Sequence, residues 1–355
     1  IPESRERDEQ ELELRRALIE QLLSSSGIAS TEVERQSARA RELCEKLDSP
    51  DKLFIALLVR GLVDLGRGRN RAALQLSHEL VNIASHIDSP ELKAQLALPR
   101  GGALGMMGDP AAALRELESG VAAAEDAARQ GADLQAMVGV RITCMTWAAD
   151  NLWLMGFPDR ALDVSNQALA ASQSGEVAPP VRAQGLVGAS TIAVLRKESE
   201  KAAAYADQLT TLSEQHDLPF GIAHGAISRG WAQARQGNAA EGIRAMQKGL
   251  DRLAEVGTGM KRTFYLCLLA EASLDAGMLD VCETALREAS NYAQEYEEVF
   301  YLAEIQRLRG ALAYARGHEE QASRYYEQAI ETAERQGAKM LQQMVSRAWS
   351  TLSQS

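Results

Sequence analysis

At 355 residues the chain exceeds what one ordinary globular core holds, so it needs several domains or an architecture that grows along one axis. Its net charge of −11, with acidic and basic residues interspersed, argues against the basic face that direct nucleic-acid binding requires. Hydrophobic residues make up 46% but aromatics only 5%, and no run of β-branched alternation suggests a sheet, so the chain reads as all-α.

The N-terminus, IPESRERDEQ, is charged rather than apolar and is no signal peptide. The longest clean apolar run, Leu53 to Val59, is far below the roughly 20 residues of a spanning helix. No membrane partner is expected, and a chain beginning at Ile1 reads as a piece of something longer. Cys44, Cys144, Cys267 and Cys282 form no CxxC. Buried free thiols in a reducing, cytoplasmic setting are expected.

In chain order, 8–23 forms a first helix with Leu12, Leu14, Leu18 and Leu22 apolar, and SSSG at 24–27 breaks it. Thr31 followed by Glu34 predicts a capping box for a helix over 33–47. The turn DSPDK at 48–52 returns as DSPEL at 88–92. Turn glycines follow at Gly68, Gly108, Gly156, Gly237, Gly277 and Gly317, in steps of 40, 48, 81, 40 and 40. The step of 81 hides a glycine-free turn near Lys197, and the step of 48 predicts longer helices around Gly120 to Met137. A second set of breaks, Asp217, Gly257, Glu297 and Gly337, keeps the same forty-residue beat.

These breaks predict seven helical hairpins at 51–87, 90–130, 133–174, 179–215, 219–256, 259–296 and 298–336. A helix pair (1–47) precedes the repeat body (48–338). A final helix within 339–355, carrying Leu341, Met344, Val345, Trp349 and Leu352, caps its apolar end. The loop SGEVAPP at 174–180 is a candidate flex point. In the last hairpin Ile305, Leu308, Leu312 and Ala315 make one apolar face. Gly317 ends that helix. Ala322, Tyr325, Tyr326, Ala329, Ile330 and Ala333 face back on it from the second helix.

Gly310, Gly317, Ala322, Tyr326 and Ala329 fall at small, turn-glycine, small, aromatic and small positions, and so resemble the tetratricopeptide (TPR) signature. The usual early tryptophan is absent, and the repeat is longer than the family's roughly 34 residues. The resemblance implies a TPR-like α-solenoid, a right-handed superhelix of hairpins whose first helices line a concave groove. Counting the family's inward positions gives Ile55, Leu58, Leu62 and Leu65, then Gln95, Leu98 and Met106, so the groove begins apolar. After residue 143 it becomes mixed: Thr143, Thr146, Asp150 and Trp153; Gln184 and Thr191; His224, Trp231 and Arg235; Phe264, Glu271 and Asp275; Glu304, Arg307 and Tyr314. The candidate ligand or peptide site is Thr143, Asp150, Trp153, Gln184, Thr191, His224, Trp231, Arg235, Phe264, Glu271 and Arg307. Its mix of flat apolar and charged side chains suits a peptide or a small polar ligand. The aromatics Tyr292, Tyr296, Phe300, Tyr301, Tyr325 and Tyr326 read as core.

No stretch carries a catalytic pattern. GTGMK at 257–261 and GRGRNR at 66–71 lack the spacing of a phosphate loop and follow no strand, so both read as turns. His78, His86, His216, His224 and His318 form no metal-ligand pattern. The acidic pairs Glu297/Glu298 and Glu319/Glu320 suit helix N-termini. Neither catalysis nor a cofactor or metal is expected.

Several segments resemble the C-terminal repeat region of large bacterial signalling regulators that join an effector to an AAA/STAND-type ATPase and TPR-like repeats. They are ELELRRAL (11–18), STEVERQSARARELCEKLDSP (30–50), ISRGWAQARQGNAAEGI (227–243), FYLCLLAEASLDAGMLD (264–280) and EIQRLRGALAYARG through AERQGA (304–338). The effector of such regulators is a class III adenylate/guanylate cyclase, a kinase or a DNA-binding domain. The resemblance implies a non-enzymatic scaffold that binds a protein or peptide, including the ATPase or cyclase part of its own polypeptide. The alternative is a domain that senses a small-molecule inducer in the groove. Self-association is a third possibility.

Overall fold

The computed structural model describes residues 4–26, 29, 31–84, 89–175 and 177–352. His86 lies outside the described residues. Seventeen helices occur among them and no strand. The opening pair is α1 (Arg5–Ser26) and α2 (Thr31–Leu47). Seven hairpins follow: α3 (Pro50–Gly66) with α4 (Asn70–Ala84), α5 (Pro90–Met106) with α6 (Pro110–Arg129), α7 (Leu134–Leu154) with α8 (Pro158–Gln173), α9 (Pro179–Leu195) with α10 (Ser199–Gln215), α11 (Pro219–Arg235) with α12 (Ala239–Glu255), α13 (Arg262–Asp275) with α14 (Leu279–Tyr296), and α15 (Leu302–Ala315) with α16 (Glu319–Arg335). The last helix is α17 (Lys339–Leu352). None is long and apolar enough to cross a membrane, among the described residues.

Helix starts and stops follow local chemistry. Pro50, Pro90, Pro110, Pro158, Pro179 and Pro219 stand in the first turns of their helices, where a missing N–H costs nothing and φ is preset. The turn residues adopt positive φ with the forty-residue beat, and Lys197 (φ 60°), Asp217 (50°) and Glu297 (53°) do so without being glycine. The eight extra residues are absorbed by longer helices: α6 has 20 residues and α7 has 21. The capping box is not formed as expected. The Thr31 hydroxyl accepts from Arg67, and the Glu34 carboxylate is drawn to Arg60, Arg67 and Arg69.

A Cβ at Gly310 would sit 3.0 Å from the Tyr326 ring, so glycine there lets α15 and α16 approach. Leu12, Ile19, Val33 and Leu43 join α1 and α2 to α3 through Ala56, Val59 and Val63. Trp349 of α17 stacks on Tyr326 and covers the last hairpin. One core cluster runs from Leu65 to Leu341 and draws on both helices of each hairpin.

Successive turns of the superhelix touch along a seam. The carbonyl of Gly66, at the C-terminus of α3, accepts from the N–H groups of Gly259 (2.9 Å) and Met260 (3.2 Å). Forty residues on, the carbonyl of Met106, at the C-terminus of α5, accepts from Val299 (2.9 Å) and Phe300 (3.1 Å). Helix C-termini carry carbonyls with no partner in their own helix, and the seam satisfies two of them. Around these rungs Asn70 Nδ2 donates to the Tyr296 carbonyl, Arg71 pairs with Glu297, and Gln336 Nε2 donates to the Val299 carbonyl. The two glycine-rich turns, 66–71 and 257–261, therefore dock against one another.

Candidate functional site

The inner helices are apolar almost all round, which marks elements buried on every side. Residues 185–194 of α9 and 263–270 of α13 are continuously buried. The inner helices are thus packed closely together, and most of their polar groups pair inside, though Asp150 Oδ1, Asn151 Oδ1, Ser190 Oγ and Trp231 Nε1 have no hydrogen-bond partner.

The deepest group lies where α7 meets the turn before α13. Lys261 sits at φ 63° and sends its ammonium inward to the Asp150 carboxylate, Nζ to Oδ2 2.5 Å. Both are buried. Burial pushes the Asp150 carboxyl above its ordinary value, and Lys261 opposes the shift. Glu298, fully buried, caps α13 from the next hairpin. It accepts from the N–H groups of Lys261 and Thr263 and from the Thr263 hydroxyl, each at 2.7 Å. The macrodipole reading of Glu298 holds for α13 rather than for its own helix α15. Burial raises its carboxyl to about 7 against those hydrogen bonds. His224 on α11 shares a 2.9 Å hydrogen bond between Nδ1 and the Tyr265 hydroxyl, edge-on to that ring.

A second cluster lies nearer the surface. Lys197 bonds both oxygens of Glu271 at 2.7 and 2.8 Å, and its ammonium stands over the Trp231 ring, 5.7 Å from the centroid. Arg307 makes two 2.7 Å bonds to Glu304 and lies 3.9 Å from Glu271. Burial pushes the Glu271 carboxyl up, but Lys197 and Arg307 outweigh it and hold it below its ordinary value. Arg235 and Asp275 form a 3.4 Å pair beyond this cluster, with side chains 43% and 57% exposed against 35% for Lys197 and 13% for Arg307. Polarity therefore grades outward from Trp231.

The sequence-predicted residues divide accordingly. Glu271 and Arg307 converge with Trp231 in the second cluster; Asp150 and His224 lie in the deep one. Gln184 donates to Thr146 Oγ1 at 2.9 Å, while the Thr143 and Thr191 hydroxyls donate to carbonyls of their own helices. Trp153 and Phe264 are buried core, Phe264 edge-on to Tyr301. Arg235 is at the rim. Lys197, Lys261, Tyr265 and Glu298 were not among the candidate site residues, although the sequence marked a glycine-free turn at Lys197, a turn ending at Lys261 and an acidic pair including Glu298.

His224 provides a pH test. Burial, helped by the charge of Lys261, lowers its pKa from 6.5 to about 3. The unfolded chain then takes up a proton near 6.5 that the fold refuses, so this stability is complete above 6.5 and drains as pH falls. Glu298 runs the other way: its raised pKa favours the fold below about 4.5, and that gain is lost as pH rises through 7. His224→Asn is expected to remove about 3 kcal/mol of the acid-side loss at pH 4. Urea unfolding of both proteins between pH 8 and 4 measures it; parallel stability curves would refute the assignment.

No family model matches the chain. A protein of Rhizobium meliloti (strain 1021), described as uncharacterized, is 26% identical over 192 residues, which are 54% of this chain and 19% of that protein. The chain thus matches about a fifth of this curated relative's length. Among solved structures, a Rap protein complexed with competence and sporulation factor superposes with TM-score 0.66 at 12% identity, covering 93% of this chain and 99% of that one. NprR in complex with its cognate peptide NprX gives 0.61 at 16%, covering 93% and 89%. The apo form of the quorum sensor NprR from B. thuringiensis gives 0.55 at 16%, covering 94% and 89%. At these identities the likeness is one of fold, and the fold is the TPR-like helical-repeat solenoid.

Proposed function

We propose that the chain is a non-enzymatic, peptide-binding regulatory module whose ligand docks against the inner helices at the outward-graded cluster of Trp231, Lys197, Glu271 and Arg307. The carrying observation is that cluster: ions of both signs, with Lys197 partly open to solvent, packed over the buried Trp231 ring. A peptide backbone and side chains satisfy such a set, and the ions can exchange partners without being left bare. The Rap protein and NprR, which share the fold, were solved with a factor or peptide bound, and this supports the same class of ligand here. The enclosed cavity beside Asp150, Trp147 and Lys261 holds only about 20 Å³, room for a water, so the closed interior offers little to a small-molecule inducer.

We further propose that the module works in the cytoplasm and controls an ATPase or cyclase elsewhere in its polypeptide, a reading supported by its resemblance to regulator repeat regions. A thermal-shift screen of the folded chain with a random peptide library tests the binding. A peptide at 100 times its Kd should add about 2.7 kcal/mol of stability. Binding should weaken at least tenfold in Glu271→Gln. Hits unaffected by that change, or no hit, would end the reading.

A further inference from the structure

We infer a second binding site, in the groove between the last two hairpins, for an acidic peptide segment of a partner protein. It goes beyond the interior site and shares no residue with it. α14, α15 and α16 enclose a groove of about 410 Å³. Its floor is Leu286, Leu312 and Ala313, all buried. Its walls carry Arg287, Arg309, Arg316 and Tyr325. The register explains the convergence. Arg309, Leu312 and Ala313 lie at i, i+3 and i+4 on α15, with Arg316 at i+7 as its C-cap, and Gln321 and Tyr325 at i and i+4 on α16, so each helix turns one row into the groove.

Charge decides the occupant. Three guanidiniums face one lining carboxylate, Glu283, in a chain whose net charge is −11. Arg316 already holds Glu283 (2.9 Å) and Asp280 (3.2 Å). Arg309 lies over the Tyr325 ring, 5.8 Å from its centroid. Among the described residues neither Arg287 nor Arg309 makes a salt bridge; Arg287 acts on the Glu283 carboxylate through its charge, and Arg309 lies against the Tyr325 ring. Guanidiniums recognise carboxylates by paired N–H donors, and the apolar floor accepts a side chain between two such acids. The fitting ligand is a short run with carboxylates flanking an aliphatic residue. The groove's size limits it to a few side chains.

The probe is a fluorescein-labelled hexapeptide of alternating glutamate and leucine, titrated into the full chain by fluorescence anisotropy at low and at physiological salt. Alternating lysine–leucine peptide and a short single-stranded oligonucleotide are run beside it. Saturable binding of the acidic peptide, weakened by salt and at least tenfold by Arg287→Ala with Arg309→Ala, supports the site. Both positions are partly or fully exposed, so circular dichroism should show the variant folded; Arg115→Ala serves as an arginine control away from the groove. The inference is overturned by no binding at low salt, by equal binding to the double variant, or by tighter binding of the oligonucleotide. Glu271→Gln leaves this binding unchanged if the two sites are separate, so failure here and failure of the interior site are told apart.

Discussion

Lys261→Met is expected to destabilise the fold by about 3–5 kcal/mol, the cost of leaving one member of a buried ion pair without its partner. Asp150 has few alternatives. Its Oδ1 already lacks a hydrogen-bond partner, and its surroundings are Trp147, Leu154, Met260 and glycines of α5. In the variant Asp150 escapes by taking a proton, so the deficit should shrink as pH falls from 8 to 4. Replacing both groups, Asp150→Leu with Lys261→Met, should recover most of the loss, because a buried pair gains little over a well-packed apolar one. A double-mutant cycle by urea denaturation measures the coupling. If the single variant loses less than about 1 kcal/mol, the pair is water-screened and does not lock α7 to the turn before α13.

The same pair shows where legibility in the sequence stops. The hairpins were readable because each break is a local event: Gly317 at φ 78° or Pro219 in a first turn needs no knowledge of the rest of the chain. Asp150, His224, Glu271 and Arg307 were readable because helical register places them on inner faces. Their partners were not. Lys261 reaches Asp150 across 111 residues, and Glu298 caps a helix that begins 36 residues earlier in the chain. Which turn meets which depends on the pitch of the superhelix, and pitch is the sum of small rotations at every helix contact. No single residue encodes it. The glycines at 66–68 and 257–259 hint that backbones approach closely there, yet nothing local says they approach each other. Inward register likewise left open whether Trp231 faces a groove or a packed interior. Its full burial under Lys197 follows only from the closed arrangement.

Gly259→Val is expected to open the seam at its first rung. A Cβ at Gly259 would overlap the Tyr292 hydroxyl and the Arg67 carbonyl oxygen, and would stand 2.8 Å from the carbonyl carbon of Arg67. The tyrosine could swing away, but the Arg67 backbone is the start of the turn after α3 and cannot yield alone. The two turns must part. The bonds from Gly259 and Met260 to Gly66 and from the Tyr292 hydroxyl to the Gly259 carbonyl go with them. At about 1 kcal/mol for each hydrogen bond the loss is roughly 3 kcal/mol, before any displacement of Lys261 two residues on. Gly131→Ala is the control for a glycine change without a clash. It has φ 92° and nothing within 4 Å of its Cβ, so it should cost about 1 kcal/mol from backbone conformation alone. Hydrogen exchange resolves the mechanism: the amides of Gly259 and Met260 should lose protection in the valine variant while those of Val299 and Phe300 keep most of theirs. Small-angle scattering should show a larger radius if the rungs act together. Unchanged protection at Gly259 and Met260, with a loss no greater than the control, would mean that the seam bears no weight in holding successive turns together.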